Sequence, residues 1–372
     1  MTKLNAWYYM KKMKSIVVGL IAGANVVTVL AMLLLGFSGY VSPASFPTVS
    51  SLGVLFPFAL LANLFFLFLW LTFKWRMAWI PLLGFLVAYV PIRTYMPFNI
   101  PSAPPDDAIK IISYNVEGYL GEPNYKDGFH MIYRYLKEQR ADIVCLQEDN
   151  DTWRKTEVFF DSIYAYNDLV KVSKPSNPII NRLGIHTRYP IIRKERIDYD
   201  SYSNGSVAWF LQVGADTLIV INNHLESTHL TKADREQYTQ LVHGSMKSDT
   251  ARQKSRRLLS TLSRSATLRA PQAEAVHRYV EAHRGYSILV CGDFNDLPLS
   301  YSRRVVGKGL TDCFVTTGNG IGRTFYRHGM YVRIDHLFCS PDLTPYSCQI
   351  DSKFDASDHY PVICWIKKGV NP

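Results

Sequence analysis

The chain has 372 residues, enough for one large domain or two ordinary ones, and a net charge of +10. This charge is unevenly distributed. Residues 1–100 contain seven lysines and arginines and no acidic residue, whereas residues 101–372 carry a net charge of only +3. The basic character belongs mainly to the first hundred residues, so it does not make the whole chain a nucleic-acid-binding polycation.

Three apolar stretches at the start of the chain predict a membrane anchor. Residues 15–36 and 54–73 are long and uncharged, and residues 77–92 form a shorter stretch followed by Arg93. About 20 apolar residues span a bilayer as a helix, so the first two stretches predict transmembrane helices and the third is marginal. Buried helices of a soluble domain are the alternative, with a cleaved signal peptide a second one for residues 15–36. An acid-free region this apolar favours the membrane.

The lysines and arginines also predict how the anchor is oriented. Four lysines precede the first stretch, residues 37–50 are uncharged, and Lys74 and Arg76 lie between the second and third stretches. By the positive-inside rule, the N-terminus and the loop with Lys74 are cytoplasmic. Three crossings of an inner or plasma membrane place the remainder outside the cytoplasm. If residues 77–92 do not cross, the remainder is cytoplasmic.

Residues 98–107, FNIPSAPPDD, predict a linker because they are rich in proline and hold the first acidic residues. The anchor is therefore assigned to residues 1–97 and a second domain to residues 108–368. In that domain strand-like runs alternate with helical patterns, which predicts one α/β domain with a large core. The strand-like runs are 109–116, 142–147, 183–192, 207–213, 217–221, 287–291, 331–339 and 362–366, and the helical patterns are 129–136 and 272–282.

All six cysteines lie after the linker. Four of them stand in strand-like runs, where a thiol is most simply a small core residue, and no CxxC spacing indicates a metal site. If a disulfide forms, Cys313 and Cys348 are the more favourable partners.

Several strand-like runs deliver a polar side chain at or near one end. The clearest is ILVCGDFND at 288–296, where an apolar run stops on Gly-Asp-Phe-Asn. If these ends converge, they form a rigid cleft of carboxylates, amides and imidazoles. The side chains concerned are Asn115, Glu148, Asn222, His224, Asp293, Asn295, Asp335, Asp358 and His359.

The oxygen donors in this set predict a hard divalent cation. Glu148 and Asp358 offer carboxylate oxygens and Asn115 an amide oxygen, a combination that favours Mg²⁺ or Mn²⁺ over Zn²⁺. Such an ion polarises a phosphoryl oxygen. On an extended backbone, Asp293 and Asn295 would point to the same side and hold a water molecule.

Any one of these residues alone is more often a cap, a turn former or a surface polar group than a catalytic residue. Their combination in chain order indicates function. The motifs SYNV (113–116), LQE (146–148), NNHL (222–225), GDFN (292–295), RID (333–335) and SDHYP (357–361) resemble those of the endonuclease/exonuclease/phosphatase superfamily, the deoxyribonuclease I-like proteins. The resemblance covers about residues 108–368.

This resemblance implies a four-layer α/β sandwich with two facing mixed sheets and Mg²⁺-dependent phosphoester hydrolysis. It implies metal ligation by Glu148, with Asn115 and Asp358 near the ion. The remaining roles it implies are activation of the attacking water by Asp293, its orientation by Asn295, phosphate binding by His359 held by Asp335, protonation of the leaving group by His224, and support by Asn222.

Two segments depart from the family pattern. Residues 184–191, GIHTRYPI, carry His186 and Thr187 in place of the usual Leu and Ser before Arg-x-Pro, which we interpret as tolerated. Residues 232–267 are longer than the usual connection. A solvated helical insertion is favoured there over a basic arm that meets anionic lipid or a polyanionic substrate.

The substrate remains open, because one fold and one set of motifs serve many phosphoesters. A membrane-anchored nuclease-type phosphodiesterase is the first hypothesis, supported by the basic segment. A phosphodiesterase acting on lipid headgroups is the second, supported by the anchor. A non-catalytic membrane interaction protein is the third, and the complete polar set argues against it. The sequence indicates a nucleic-acid or lipid-headgroup phosphoester as substrate and a membrane-embedded protein, and it does not identify a protein partner.

Overall fold

The structure is a computed structural model that describes residues 3–120, 128–150, 159–174, 176–177, 180–228, 248–327 and 330–369. Part of the predicted insertion at 232–267 therefore lies outside the described residues. Its remainder belongs to a long helix that begins at Ser248.

The N-terminal region is helical and apolar. Its helices are α1 (Lys3–Gly36), α2 (Pro47–Ser50), α3 (Phe56–Phe73), α4 (Trp79–Val87) and α5 (Tyr89–Tyr95). Two continuous stretches, Trp7–Gly36 and Pro47–Phe73, are long and apolar enough to cross a membrane. The third predicted stretch is a pair of helices bent by 66° at Ala88, which would make a broken span or a re-entrant loop.

A polar cluster joins the first two long helices. Asn25 Nδ2 donates to Asn63 Oδ1 at 3.2 Å, and the indole Nε1–H of Trp70 donates to Asn25 Oδ1 at 2.9 Å. Thr28 Oγ1 also donates to Asn63 Oδ1 at 3.2 Å. Such bonds between membrane helices contribute about 0.6 kcal/mol each, so this cluster fixes the pairing of α1 with α3. Its polar atoms are bonded among themselves, which accounts for the two asparagines in apolar stretches.

The second region contains two six-stranded sheets. The first has the order β11 (Leu343–Ile350), β12 (Val362–Lys368), β1 (Ile109–Asn115), β2 (Ile143–Gln147), β4 (Arg182–Thr187) and β3 (Tyr166–Lys171). The second has the order β5 (Ile191–Ile197), β6 (Gly205–Val213), β7 (Asp216–His224), β8 (Ser287–Asp293), β10 (Asp335–Cys339) and β9 (Thr311–Asp312). In each sheet only the central pair, β1 with β2 and β7 with β8, is parallel, and the other neighbours are antiparallel.

The two sheets face each other and are covered by helices. Alternation along the strands produces this layering: in β7, Leu218 and Val220 enter the core between the sheets, whereas Ile219 and Ile221 pack on the outer face. Residues of α6 (Gly128–Gln139) cover the first sheet and residues of α7 (Ser248–Ala282) the second. The predicted α/β sandwich with two facing mixed sheets is confirmed.

The anchor docks on the sandwich. Leu299, which precedes α8 (Tyr301–Val306), is buried in an anchor cluster that contains Met32, Phe56, Leu60 and Ala88. The backbone at Gly39 comes so close that a Cβ there would lie 2.4 Å from the Leu299 carbonyl oxygen. Arg304 Nε donates to the Gly39 carbonyl at 2.8 Å. The loop between α1 and α3 is thus part of the interface with the sandwich.

Several boundaries differ from the prediction. The run at 183–192 is two strands, β4 and β5, separated at Tyr189 and Pro190. The run at 331–339 becomes a strand only from Asp335. Helix α7 begins far before residue 272 and continues through Pro271. Residues on both sides of Pro271 pack against the protein, and this packing outweighs the backbone hydrogen bond that proline cannot make. Strands β3, β9 and β11 were not predicted.

The cysteines form no disulfide, and all six are buried free thiols. Cys313 begins α9 (Cys313–Thr317) and belongs, with Cys348, to the core between the sheets. Burial raises the pKa of the Cys313 thiol, and neighbouring Cys339 and Cys364 raise it further. The Cys313–Cys348 disulfide that the sequence favoured is therefore corrected: Cys313 has Cys339 and Cys364 as sulfur neighbours, and Cys348 has Cys364.

Candidate active site

The four central parallel strands end at one edge of the sandwich. Asn115 ends β1, Glu148 follows β2, His224 ends β7 and Asp293 ends β8. Asp335 begins β10 directly opposite Asp293 in the antiparallel register. Asp358 and His359 precede β12, whose first residue pairs with Ser113 near the end of β1. Parallel central strands with antiparallel neighbours therefore bring the predicted side chains to one place.

Asp293 lies at the centre of this group and is 1% exposed. Its Oδ1 accepts the backbone N–H of Asn295 at 2.7 Å, and its Oδ2 accepts Asn115 Nδ2 at 3.1 Å. The Nε2 atoms of His224 and His359 each lie 3.7 Å from Oδ2. Burial raises the pKa of Asp293 to about 6, although His359 opposes the rise. Asp293 is therefore a stronger base than an ordinary aspartate and is still ionised at neutral pH.

The strand that carries Asp293 needs glycine before it. Gly292 has φ +125°, and a Cβ at this position would lie 2.0 Å from the carbonyl oxygen of Asn223 on the parallel neighbour β7. Only a residue without a side chain permits this approach. The close contact of β7 with β8 holds His224 opposite Asp293 in the register.

His359 is held by a carboxylate. Its Nδ1–H donates to Asp335 Oδ2 at 2.8 Å, which leaves Nε2 directed toward Asp293. Burial by itself lowers the pKa of His359, but Asp335, Asp293 and Asp358 together raise it well above its ordinary value. The ring is therefore a cation at neutral pH and a hydrogen-bond donor to an anion.

His224 is in a different protonation state. Its Nδ1 accepts a hydrogen bond from Asn181 Nδ2 at 3.2 Å, so the neutral ring carries its proton on Nε2. This Nε2 lies 3.7 Å from both Glu148 Oε1 and Asp293 Oδ2. Burial lowers the pKa of His224, with Asp293 opposing the change. The site thus combines one neutral and one cationic imidazole.

Asn295 does not have the predicted extended backbone. Its φ is +50°, and its side-chain Nδ2 donates to the Leu225 carbonyl at 3.0 Å. The contact with Asp293 is made by its backbone N–H. Glu148 also has a left-handed φ, +54°. A non-glycine residue in this region stores about 1–3 kcal/mol of strain, which is commonly found at functional sites.

The carboxylates beside Asp293 fit a divalent cation. Burial raises the pKa of half-buried Glu148, and the charge of Asp358 raises it further. Burial and Asp358 also raise the pKa of Glu117 to about 7, although Glu117 forms an ion pair with Arg327. Burial is the larger cause of both pKa shifts, and only the part caused by Asp358 reflects crowded negative charge, which a cation would relieve. The donors are oxygens, as Mg²⁺ or Mn²⁺ requires.

Two further observations bear on the cation. Potential ligand atoms of Asp293, Asp335 and His359 lie within 4.8 Å of one another, but protonated His359 has no lone pair to offer, so only the two carboxylates of this group could contact a cation. Asp335 Oδ1 is buried without a hydrogen-bond partner. Asn115, in contrast, turns its amide nitrogen toward Glu148 and Asp293, while its oxygen accepts the Glu117 backbone N–H at 3.0 Å. Coordination through that oxygen requires the amide to rotate.

Comparison with known proteins identifies the fold family. The model of the Endonuclease/Exonuclease/phosphatase family matches residues 112–359. The chain belongs to this family. Its members are hydrolases that act on phosphoesters. A second model, described as a domain of unknown function, matches residues 18–95. No curated protein matches the chain.

Solved structures share the fold of this Endonuclease/Exonuclease/phosphatase domain. The human nocturnin catalytic domain, solved with a sulfate anion, is 13% identical with a TM-score of 0.51, covering 70% of this chain and 95% of that one. An endonuclease/exonuclease/phosphatase family protein from Leptotrichia buccalis is 14% identical with a TM-score of 0.50, covering 70% and 100%. A humanised TDP2 from D. rerio is 17% identical with a TM-score of 0.49, covering 70% and 99%. At these identities the likeness concerns the fold alone.

The side chain of Asn222 lies behind the group of polar residues around Asp293 and does not reach its centre. Its Oδ1 accepts Gln147 Nε2 at 2.7 Å, and its Nδ2 donates to the carbonyls of Leu146 and Gly184 at 2.9 and 3.1 Å. These bonds tie β7 to β2 and β4 of the facing sheet. Asn222 therefore positions the two sheets, and through them Glu148, relative to each other.

The sequence analysis missed several residues of the site. Glu117 stands two positions after the SYN motif and pairs with Arg327. Asn181 fixes the tautomer of His224, and Asp149 and His186 form a buried pair 3.5 Å apart behind Glu148. Asp149 directly follows the LQE motif, and this position could have indicated that it lies near the site. The pairings themselves join residues distant in sequence, so periodicity could not reveal them.

Proposed function

We propose that the protein is a membrane-anchored, divalent-metal-dependent phosphoester hydrolase that cleaves a phosphodiester by attack of water. One observation carries this proposal: Asp293, a buried carboxylate whose pKa is raised to about 6, lies 3.7 Å from both a cationic and a neutral imidazole at an edge rich in further carboxylates. This arrangement places a base, a cationic anion binder and a neutral hydrogen-bond donor next to one another.

The mechanism assigns each step to a residue of this chain. Asp293 takes a proton from the attacking water, with the Asn295 backbone N–H fixing the carboxylate. The Nε2–H of His359, kept cationic by Asp335, donates to a phosphoryl oxygen. As the new P–O bond forms and the old one breaks, the Nε2–H of neutral His224 donates a hydrogen bond that stabilises the leaving oxygen, and this oxygen then takes a proton from solvent. Asp293 releases to solvent the proton that it took from the attacking water, and both residues regain their initial states.

Glu148 and Asp358 would hold the metal ion, with Asn115 as a third ligand once its amide oxygen faces inward. When bound, Mg²⁺ or Mn²⁺ would neutralise the negative charge that develops on the phosphoryl group. Asn222 supports Glu148 through its bonds across the two sheets. These ligand assignments belong to the proposal together with the catalytic roles.

The catalytic domain is proposed to lie outside the cytoplasm. Lys74 and Arg76 favour a cytoplasmic loop after α3. The loop between α1 and α3 contacts the catalytic domain through Gly39, which supports placing both on one side of the membrane. Since α3 carries the chain away from that side, α4 and α5 must bring it back. The bent pair would thus act as a third, broken crossing.

The test uses the full-length protein in detergent with bis(p-nitrophenyl) phosphate as the diester. We expect hydrolysis with Mg²⁺ that EDTA abolishes. Asp293→Asn and His359→Ala should each reduce kcat at least roughly a hundred-fold, as loss of a general base or an electrostatic donor does. Asp216→Asn, a change of an exposed aspartate at the far end of β7, is the matched control and should retain activity. Equal activity of Asp293→Asn and wild type would overturn the proposed role of Asp293, whereas no Mg²⁺-dependent hydrolysis by the wild type would favour a non-catalytic interaction protein.

A further inference from the structure

The catalytic edge opens into a cavity of about 320 Å³ that reaches the membrane anchor. At one end the cavity is lined by Glu148, Asp293, Asp358 and His359. At the other end it is lined by residues 50, 51, 53 and 54, which connect α2 to α3 within the membrane-length stretch Pro47–Phe73. Its volume lies at the lower limit for small-molecule sites, about 300–1,000 Å³.

Between these two ends the cavity wall is mainly apolar. Leu258, Leu262 and Ala266 lie at intervals of four residues along α7 and so present one face of the helix to the cavity. Leu297 and Val332 line the wall as well, and both remain partly exposed. We name this region, lined by Val54, Leu258, Leu262, Ala266, Leu297, Met330 and Val332, the apolar chamber.

The anchor is a fixed wall of the apolar chamber. Val54 belongs to the connection between α2 and α3, at the start of the Pro47–Phe73 stretch, and this connection is packed against the catalytic domain. Gly53 is buried, and a Cβ on it would lie 3.4 Å from the side chain of Leu299. Leu299 itself lines the cavity and enters the anchor cluster. The chamber therefore lies between the catalytic centre and the surface that the membrane helices would bring to the bilayer.

The charge distribution in the cavity is unsuited to a polyanion. Two arginines are among the described lining residues, and each is engaged with a carboxylate of the protein. Arg269 is 2% exposed and donates to Asp296 Oδ2 at 3.2 Å and to the Glu226 carbonyl at 3.1 Å, and Arg327 forms an ion pair with Glu117. Nucleic acid needs cationic or amide donors along successive phosphates. An apolar wall that adjoins a single phosphoryl site instead suits a molecule with one phosphate and one apolar chain.

We propose that the substrate is an amphiphilic phosphoester, whose phosphoryl group lies at Asp293 and His359 and whose apolar chain lies in the apolar chamber. This inference rests on the proposed phosphoester hydrolysis and adds the substrate class. Burial of each methylene group of the chain contributes to binding, so kcat/KM rises with chain length until the chamber is filled.

The experiment measures the full-length protein in detergent on a series of p-nitrophenyl alkyl phosphate diesters with ethyl, butyl and octyl chains. We expect kcat/KM to be at least roughly ten-fold higher for the octyl than for the ethyl ester, since several methylene groups leave water. All three esters share the same leaving group, so the difference reports the chain alone.

Two variants of the chamber wall test the location. Leu262→Trp fills the chamber and Leu262→Gln makes its wall polar, and both should reduce the octyl-to-ethyl ratio toward one while leaving ethyl ester hydrolysis intact. Leu268→Trp and Leu268→Gln are matched controls, because Leu268 lies on the same helix, is 44% exposed and does not line the cavity. Retained ethyl ester activity shows that each variant is folded.

The outcomes separate the two proposals. If no ester is cleaved, the proposed hydrolysis fails. If ethyl and octyl esters are cleaved equally, or if supercoiled plasmid is nicked with a kcat/KM above that of the octyl ester, only the amphiphile proposal fails. An octyl preference unaffected by both Leu262 variants would also overturn it. The rate on a hexadecyl ester is then compared between phosphatidylcholine vesicles and mixed micelles. A higher rate in vesicles indicates a lipid taken from the bilayer, and a higher rate in micelles indicates a dissolved amphiphile; both substrates would bind in the apolar chamber.

Discussion

We expect His336 to make the free energy of unfolding depend on pH below neutrality. This imidazole is 4% exposed, and its Nε2–H donates to the Asp296 carbonyl at 3.0 Å. Its ring contacts Phe294 edge to face, with the centroids 5.2 Å apart. Burial, assisted by the charges of Arg333 and Arg303, lowers the pKa of His336 to about 3. The native state therefore resists protonation of this ring.

The magnitude follows from linkage. In the unfolded chain a histidine has a pKa of about 6.5, so it binds a proton as the pH falls while native His336 does not. The contribution of His336 to stability is complete above about pH 6.5 and is lost progressively as the pH falls toward 3. Between pH 7 and pH 5 the loss amounts to about 2 kcal/mol.

The assay compares wild type with His336→Gln by urea unfolding of the full-length protein in detergent with EDTA. Glutamine keeps an amide donor but does not titrate, so we expect the variant to lose about 2 kcal/mol less than wild type between pH 7 and pH 5. His283→Gln, a change of a half-buried ring at the end of α7, serves as the matched substitution. Equal losses in wild type and His336→Gln would refute the reasoning.

Two substitutions test the construction of the active site. Asp335→Asn removes the charge that keeps His359 cationic, so kcat for bis(p-nitrophenyl) phosphate should fall roughly a hundred-fold or more while thermal stability changes little. An unchanged kcat would contradict the role of the pair. Gly292→Ala places a Cβ 2.0 Å from the Asn223 carbonyl oxygen, so thermal unfolding should show the domain destabilised by more than about 3 kcal/mol. The control is Gly214→Ala, at φ +60° with no atom nearby, which should cost only about 1 kcal/mol. Similar costs at both glycines would count against the strand contact.

The location of these polar residues could be predicted from the sequence because most of them follow parallel strands. Asn115, Glu148, His224 and Asp293 all end apolar runs, and the carboxyl ends of parallel strands meet at one edge. The pairing of β1 with β2 and of β7 with β8 makes these four ends neighbours. The same rule could not place Asp335, which begins an antiparallel strand and reaches the site only because β10 lies beside β8.

Side-chain direction was less predictable than strand position. Asn295 was expected on an extended backbone, but its left-handed φ turns its amide to Leu225 and leaves its backbone N–H to Asp293. The side chain of Asn222 points into the space between the sheets, whereas that of the next residue, Asn223, points to the outer side. Such choices depend on contacts across the two sheets. Periodicity within one strand carries no information about them.

Arg333, part of the RID motif, provides a test of how the anchor is attached. It is 3% exposed, its guanidinium donates to the Thr94 carbonyl at the end of the anchor, and it lies 4.5 Å from the ring of Phe314. Arg333→Met keeps the stem but removes the donors, which leaves a buried carbonyl without its bond and should cost roughly 1–3 kcal/mol. Arg304→Met, at the partly exposed rim of the same interface, is the matched control and should cost less.

Residues 98–107 are largely exposed, but hydrogen bonds from Asn99 to Asn319 Oδ1 and to the Val315 and Gly318 carbonyls hold the start of this segment on the catalytic domain, so looser docking should make the segment a better protease substrate. We therefore expect limited proteolysis of Arg333→Met in detergent to cleave this segment several-fold faster than in wild type, with Arg304→Met between the two. Thermal unfolding of the cleaved catalytic domain reports whether the change is confined to the interface. If Arg333→Met is cleaved at the wild-type rate, the buried arginine does not hold the anchor. The anchor could then move away from the active-site cavity, and its place as a wall of the apolar chamber would lose its structural basis.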